Sequence, residues 1–250
     1  EMGWTLQELM DVSKAHPEAQ YLLDPYTTKA AMLQTMLALN LGEYVDWATG
    51  ECSFNSQDFI DVLNFCNMFP ESYDYNSSNQ ESTPALISSG RQLLASYSAS
   101  DFAQFQMYEA MFGGHLAFKG FPTSEGIGNV AVPTGSRLSI SATCSDPEAA
   151  WSFVRTLLTR EYQENYTYGF CTNRELCEEN IQSMVGESYY SYDQVTGEEK
   201  EIIFTQENAD LITDLINNTS MVADYNTSQI NDIINEEVAY YFSGEKTAQD

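Results

Sequence analysis

Apolar residues recur along this chain mostly at helical spacing, with short strand-like runs scattered between. Thr5-Leu6-Gln7-Glu8 reads as a capping box, in which the Thr hydroxyl takes a backbone N–H and the Glu three residues later returns the bond. A helix is expected from there, with Leu6, Leu9 and Met10 on one face. It should end before His16-Pro17, since the residue ahead of proline avoids helical angles. Tyr21-Leu22-Leu23 predicts a short buried strand stopped at Asp24-Pro25. Residues 28–41 are apolar all round and predict a buried helix closed by Gly42. Segments 44–47 and 51–54 predict a small hairpin turning at Gly50. Phe59, Val62, Leu63, Cys66 and Phe69 make an apolar helical stripe ended by Pro70.

Residues 71–83 are polar enough to read as a surface loop, and 84–89 as a short helix closed by Gly90. A strand is expected over 93–97, a helix capped by Asp101, another strand over 116–118, and a strand-turn-strand over 129–143 turning at Thr134-Gly135. Ser145-Asp146-Pro147-Glu148 is a strong helix start: an Asp cap, proline at the first helical position and acid against the dipole. Trp151, Val154, Leu157, Leu158 and Tyr162 are its expected buried face, with Trp151 and Trp4 as core residues. A hairpin over 189–204 turns at Thr196-Gly197, and helices follow over 206–216 and 229–242. The last carries Ile230, Ile233, Ile234, Val238, Tyr241 and Phe242 on one side. After Gly244, residues 246–250 read as the first turn of a further helix. Few strands among many helices predict an α/β layering rather than a sandwich.

Charge narrows the function. Asp and Glu number 37 against 10 Lys and Arg, a formal −27, so nucleic acid and anionic membranes would repel the chain. Charged residues are only 19% of the whole, so the acidity reflects scarce Lys and Arg, not an acidic tail, and suits solubility outside the cell. No run of 18 apolar residues exists to span a bilayer, and the first residues lack the pattern of an export signal. Cys52, Cys66, Cys144, Cys171 and Cys177 are an odd set, too sparse for a disulfide scaffold. Cys171 with Cys177, and Cys52 with Cys66, are the conceivable pairs, and buried reduced thiols are the other reading.

Catalytic and metal motifs are missing. His16 and His115 have no patterned partner, there is no His-Glu-x-x-His, Gly-x-Ser-x-Gly or phosphate-loop motif, and Gly126-Ile127-Gly128 is too short for a dinucleotide loop. Residues 193–199 lack the alternating acids of a calcium loop. No cofactor and no metal site is expected, and the chain reads as a non-enzyme. Paired carboxylates for glycoside cleavage, or a surface adhesion protein, are the alternatives. Asn-x-Ser/Thr sites at Asn76, Asn165, Asn217, Asn218 and Asn226 are compatible with the latter.

Four segments resemble family 1 extracellular solute-binding proteins of ABC importers, the group with maltodextrin-binding members. Gly3-Trp4-Thr5-Leu6-Gln7-Glu8-Leu9 is similar to the family's Thr-Trp-Asp-Glu-Leu helix start, with Trp and Thr transposed. Gly90-Arg91-Gln92-Leu93-Leu94 resembles its Gly-Lys-x-Ala-Met segment with two departures. Asp146-Pro147-Glu148-Ala149-Ala150-Trp151-Ser152-Phe153-Val154 resembles its Pro-Glu-Ala-Ala-Trp-x-Phe helix and is the most specific match. Residues 230–247 are similar to its penultimate helix with a Gly-x-Lys-Thr exit.

The resemblance implies a type II periplasmic-binding-protein-like fold, helix-rich with a small mixed sheet. Residues 1–130 and 181–250 would form the C-terminal lobe and 131–180 a crossover segment of the N-terminal lobe. Most of that lobe and the last helix would lie outside these 250 residues. It also implies a monomeric lipoprotein on the outer surface of a Gram-positive-type cell, with its signal and anchor elsewhere. Such a protein captures a sugar or oligosaccharide in an inter-lobe cleft and hands it to membrane permease subunits. Asp24-Pro25-Tyr26 matches the family's acid-Pro-Tyr ligand triplet, the other reading being a capping Asp with a turn proline. Tyr97 and Ser98 fall near the family's cleft aromatic, and Asn231 near the start of its penultimate helix. Trp47, in the predicted hairpin, is a further candidate ligand platform, packing being the commoner fate of such a residue.

Overall fold

A computed structural model describes residues 3–74, 76, 81–112, 116–123, 126, 129–131, 138–166, 169–192, 196–223 and 228–250. The expected turn at Thr134-Gly135, His115, Ile127-Gly128, Asp193-Gln194-Val195 and Asn226 lie outside them. Along the chain run α1 (Leu6–Ala15), α2 (Lys29–Tyr44), α3 (Gln57–Cys66), α4 (Thr83–Ser88), α5 (Phe102–Met111) and β1 (Asn129–Ala131). There follow α6 (Pro147–Thr156), α7 (Arg160–Tyr166), α8 (Arg174–Ser183), β2 (Ser188–Tyr192), β3 (Glu199–Ile203), α9 (Gln206–Asn217), β4 (Thr219–Val222) and α10 (Ser228–Phe242). The chain is helix-rich with small two-stranded sheets, compatible with an α/β class.

It divides into two compact units: Glu1–Ser96, Ala117–Val132 and Asn218–Asp250 form the first, and Tyr97–Leu116 and Pro133–Asn217 the second.

The first unit is organised around α2. Thr28 caps it by accepting the Ala31 N–H, and Met32, Leu33, Met36, Leu37 and Leu41 are buried along it. Gly42 does not close this helix, which runs on to Tyr44. Glycine inside a helix costs about 1 kcal/mol. The Tyr44 ring offsets that cost by burying edge-on against Phe59 at 5.1 Å and lying 6.0 Å from Phe54, each such pair contributing roughly 0.5–1.5 kcal/mol. The chain then turns at Gly50 (φ 76°), bridges Val45 to Cys52 and enters α3, whose Phe59, Val62, Leu63, Phe65 and Cys66 complete the core. Ile234 and Val238 of α10 seal it, whereas Ile233 is 64% exposed, its direction rotated a helical step of about 100° from Ile234. At the N-terminus the capping box is formed: Thr5 N–H donates to Glu8 Oε2 at 2.7 Å, and Glu8 N–H to Thr5 Oγ1 at 3.2 Å. Trp4 packs against the core and donates Nε1–H to Gly120 O at 2.6 Å.

β1 differs from expectation. It does not pair with 138–143, which carry no strand; it lies parallel to β4, a strand the periodicity does not reveal. A short apolar run alone cannot announce a partner some ninety residues away, because a parallel pair needs a crossover rather than a turn. The strand expected over 116–118 is absent as well.

In the second unit, β2 and β3 form the expected antiparallel hairpin, and α5 packs on both. Cys177 and Ile181 of α8, Ala209 and Ile212 of α9, and Phe204 form the buried cluster, with Phe102, Phe105 and Phe170 against it. The helix starting at Pro147 breaks after Thr156 instead of reaching Tyr162. Thr156 Oγ1 donates to Phe153 O at 2.6 Å and Thr159 Oγ1 to Thr156 O at 2.7 Å, local bonds that compete with the helical ladder. Gln163 Nε2 satisfies the freed Leu157 carbonyl at 3.2 Å. The expected buried face is also corrected: no residue of α6 is buried, and Trp151 and Leu158 are 48% and 52% exposed. The amphipathic stripe is present, yet the described residues do not cover it.

Candidate functional site

The expected strands at 21–23 and 93–97 meet as a short parallel ladder in the first unit. Gln20 N–H and Tyr21 N–H both donate to Arg91 O at 2.9 Å, Leu93 N–H to Tyr21 O at 3.1 Å and Leu94 N–H to Leu22 O at 3.0 Å. Only the Tyr21–Gln92 bridge is regular enough to be a strand pairing. The Arg91 guanidinium holds the entry side, donating to Gln20 Oε1 from Nε and Nη2 and pairing with Glu81.

At the carboxyl end of the ladder the chain turns through Asp24-Pro25-Tyr26, closed by Thr27 N–H to Asp24 O at 2.9 Å. Asp24 is only 4% exposed. Its Oδ1 accepts Thr83 Oγ1–H at 2.6 Å and Gln92 Nε2–H at 3.1 Å, so it ties the turn to the first residue of α4 and to the neighbouring ladder segment. Helix capping falls to Thr28 instead. A carboxylate this deep needs such donors, because an unpaired buried charge is costly. Of the triplet, Tyr26 is the member presented outward, 47% exposed, with the Tyr73 ring edge-on 6.3 Å away. Lys29 Nζ and Glu71 form an ion pair at 3.4 Å beside this pair of rings in sequence. Pro25 is half-buried.

The remaining candidates lie elsewhere. Trp47 is 61% exposed in the turn after α2, on an open hollow also lined by Tyr44, Asp46, Glu51 and Cys52. Asp46 accepts the Ala48 and Thr49 N–H groups and the Thr49 hydroxyl, and the Ala48 bond foremost holds its carboxyl below the usual range. Tyr26 and Trp47 flank opposite ends of the 16-residue α2, about 24 Å long at 1.5 Å per residue, so no small ligand touches both. Lys29, at the start of α2, donates to Phe242 O, at the end of α10. Asn231 lies eleven residues before Phe242 along α10, about 16 Å at 1.5 Å per residue. Asn231 is 9% exposed, and its Oδ1 has no hydrogen-bond partner among the described residues.

Tyr97 and Ser98 belong to the second unit. Tyr97, 43% exposed, stacks on Tyr108 at 4.5 Å, and the Tyr108 hydroxyl donates to Ser98 O at 2.6 Å. Sequence reasoning missed Tyr73, Thr83 and Gln92. The loop at 71–83 is polar, and nothing in its spacing marks a tyrosine or threonine that returns to the 24–26 turn.

Among the described residues no group of three or more His, Cys, Asp or Glu is placed to hold a metal ion, and no helix is long and apolar enough to cross a membrane. Neither a protein-family model nor a curated protein sequence matches this chain.

Proposed function

We propose that this chain captures a sugar or oligosaccharide without transforming it, as the solute-binding component of an ABC importer with a type II periplasmic-binding-protein-like fold. The observation that carries the reading is the acid-Pro-Tyr turn at the carboxyl end of a parallel ladder. Ligands of open α/β proteins collect outside the carboxyl ends of parallel strands. Tyr26 there offers a ring face, with Tyr73 beside it, and aromatic faces pack against the apolar face of a pyranose. In this reading Asp24 fixes the turn through Thr83 and Gln92 and thereby aims Tyr26. Net charge disfavours an anionic solute, since a −27 surface repels anions. The extracellular lipoprotein setting and the permease partner belong to the same proposal.

Isothermal titration of the purified protein with an oligosaccharide panel tests it. The expected result is saturable heat with intact ligand recovered, and roughly tenfold weaker binding in Tyr26→Ala, about 1.4 kcal/mol. Shorter sugars appearing on chromatography would replace the reading with a hydrolase. Absence of heat for every solute, together with binding to a protein surface, would replace it with an adhesion protein.

A further inference from the structure

The start of α8 brings two cysteines to one carbonyl. Asn173 caps the helix, its Oδ1 accepting Leu176 N–H at 3.0 Å, so Cys177 falls in the first turns and Cys171 two residues ahead of the cap. The Asn173 carbonyl is shared between them: it accepts Cys177 N–H at 2.9 Å and Cys171 Sγ–H at 3.4 Å. Cys177 is a member of the buried cluster with Ile181, Phe204, Ala209 and Ile212, and Cys171 packs against that same cluster. Many helices have an apolar pair at this place, one residue just before the cap and one a turn inside, which fixes the entry angle of the chain. Here Cys177 holds the inner place and Cys171 stands one residue further out than the usual outer one, both as free thiols.

We propose that Cys171 and Cys177 are a reversible disulfide site, with Cys171 engaging an external small-molecule disulfide and Cys177 completing the bridge. The inference rests on no part of the solute-binding reading. The two residues differ in access: Cys171 is half-buried, whereas Cys177 is buried within the cluster. Burial foremost pushes the Cys177 thiol up, which makes it the poorer first nucleophile of the pair. Cys171 gives its proton to water, and its thiolate attacks one sulfur of the external disulfide, forming a mixed disulfide and expelling one thiolate with its electron pair, which takes up a proton from water. Cys177 then gives its proton to water, its thiolate attacks Cys171 Sγ, and the second external thiolate leaves. Two protein thiols are thus oxidised by two electrons while one external disulfide is reduced to two thiols. Both cysteines meet at the Asn173 carbonyl and on one apolar cluster, and Cys171 is a hydrogen-bonding neighbour of the Cys177 thiol, which is the proximity a bridge requires.

Arg174 lies between the two cysteines, which makes the product easy to read. The protein is incubated with oxidised glutathione, quenched in acid, alkylated and cut with trypsin. The expected result is that peptides 161–174 and 175–200 run as one linked mass, two hydrogens lighter than their sum, and separate into two alkylatable peptides after dithiothreitol. Exposed Cys52 serves as a gauge of the oxidant by taking up glutathione. In Cys177→Ser the glutathione stays on Cys171, and in Cys171→Ser the peptide holding Cys177 remains free. Wild-type protein in which both peptides stay alkylatable, or in which glutathione persists on Cys171 beside a free Cys177, overturns the proposal without reference to whether either variant folds.

Discussion

Gly169 sits at φ +87°, and Ser100 O stands where a Cβ would have to go. The next N–H, from Phe170, donates to that same oxygen at 3.1 Å, so the close approach is fastened from both sides. Gly169→Ala therefore combines a left-handed backbone, costing roughly 1–2 kcal/mol, with an overlap against main chain that cannot rotate away. A lowered urea midpoint is expected for the second unit, beyond that left-handed cost alone. Asp24 poses the opposite problem, a side chain that is needed rather than forbidden. Asp24→Ala removes the acceptor of the Thr83 hydroxyl and one of the two acceptors of the buried Gln92 amide, which keeps its bond to Leu94 O, a loss of about 1–3 kcal/mol per orphaned N–H or O–H in the same measurement. An unchanged midpoint would mean that the turn does not depend on this carboxylate. The sequence pointed to Asp24-Pro25-Tyr26 through a family-like triplet. It could not say which of the three faces outward, because that depends on Thr83 and Gln92, whose proximity is set by tertiary pairing.

Helix termini are where local chemistry and observed structure agree best. Thr5, Asp101 and Asp146 each accept a backbone N–H at a helix start that the sequence marks, a bond made within three residues and so readable from adjacent letters, and Thr28, Ser56 and Asn173 make the same bond. Ser56→Ala should cost about 1 kcal/mol by the urea midpoint, because α3 builds the core of its unit. Glu8 supplies a pH signature: its bonds with the Thr5 backbone, and then the Thr5 hydroxyl, hold its carboxyl below the usual range. A depressed acid contributes stability that is complete above its unfolded pKa and fades as pH falls through the lower folded value. Amide-exchange protection in α1, corrected for the intrinsic slowing of exchange in acid, should accordingly fall on acidification through that window, and Glu8→Gln should blunt the change. What was not legible shares a cause. The parallel partner of β1, the helix α8 with its many charges, and the exposure of α6 are all decided by what lies across space, not by spacing along the chain. For α6 the consequence is optical: Trp151 at 48% exposure should be quenched readily by acrylamide, Trp4 bonded to Gly120 far less, and Trp151→Phe should remove the accessible part that Trp47 does not supply.

At the scale of the whole molecule, 37 acids against 10 bases leave self-repulsion that nearby pairs barely relieve. The ion pairs at Lys14–Asp11, Arg160–Glu179 and Lys246–Glu237 have exposed partners, each of the kind that contributes at most about 1 kcal/mol. Raising ionic strength from about 0.01 to 0.15 M shortens the Debye length from about 30 to 8 Å and should raise the melting temperature by screening like charges. A melting temperature that falls with salt would instead mean that the few ion pairs outweigh the repulsion. The first unit is also assembled from three separate stretches of chain, and its core joins Leu33 and Leu37 to Ile234 and Val238. During synthesis at 5–20 residues per second, the α2 side of that core must wait on the order of 10–40 s before its α10 lid has been made. A nascent polypeptide stalled ahead of Ser228 therefore displays an open greasy slot, and the ribosome-bound intermediate, rather than the finished protein, is the species most in need of a chaperone.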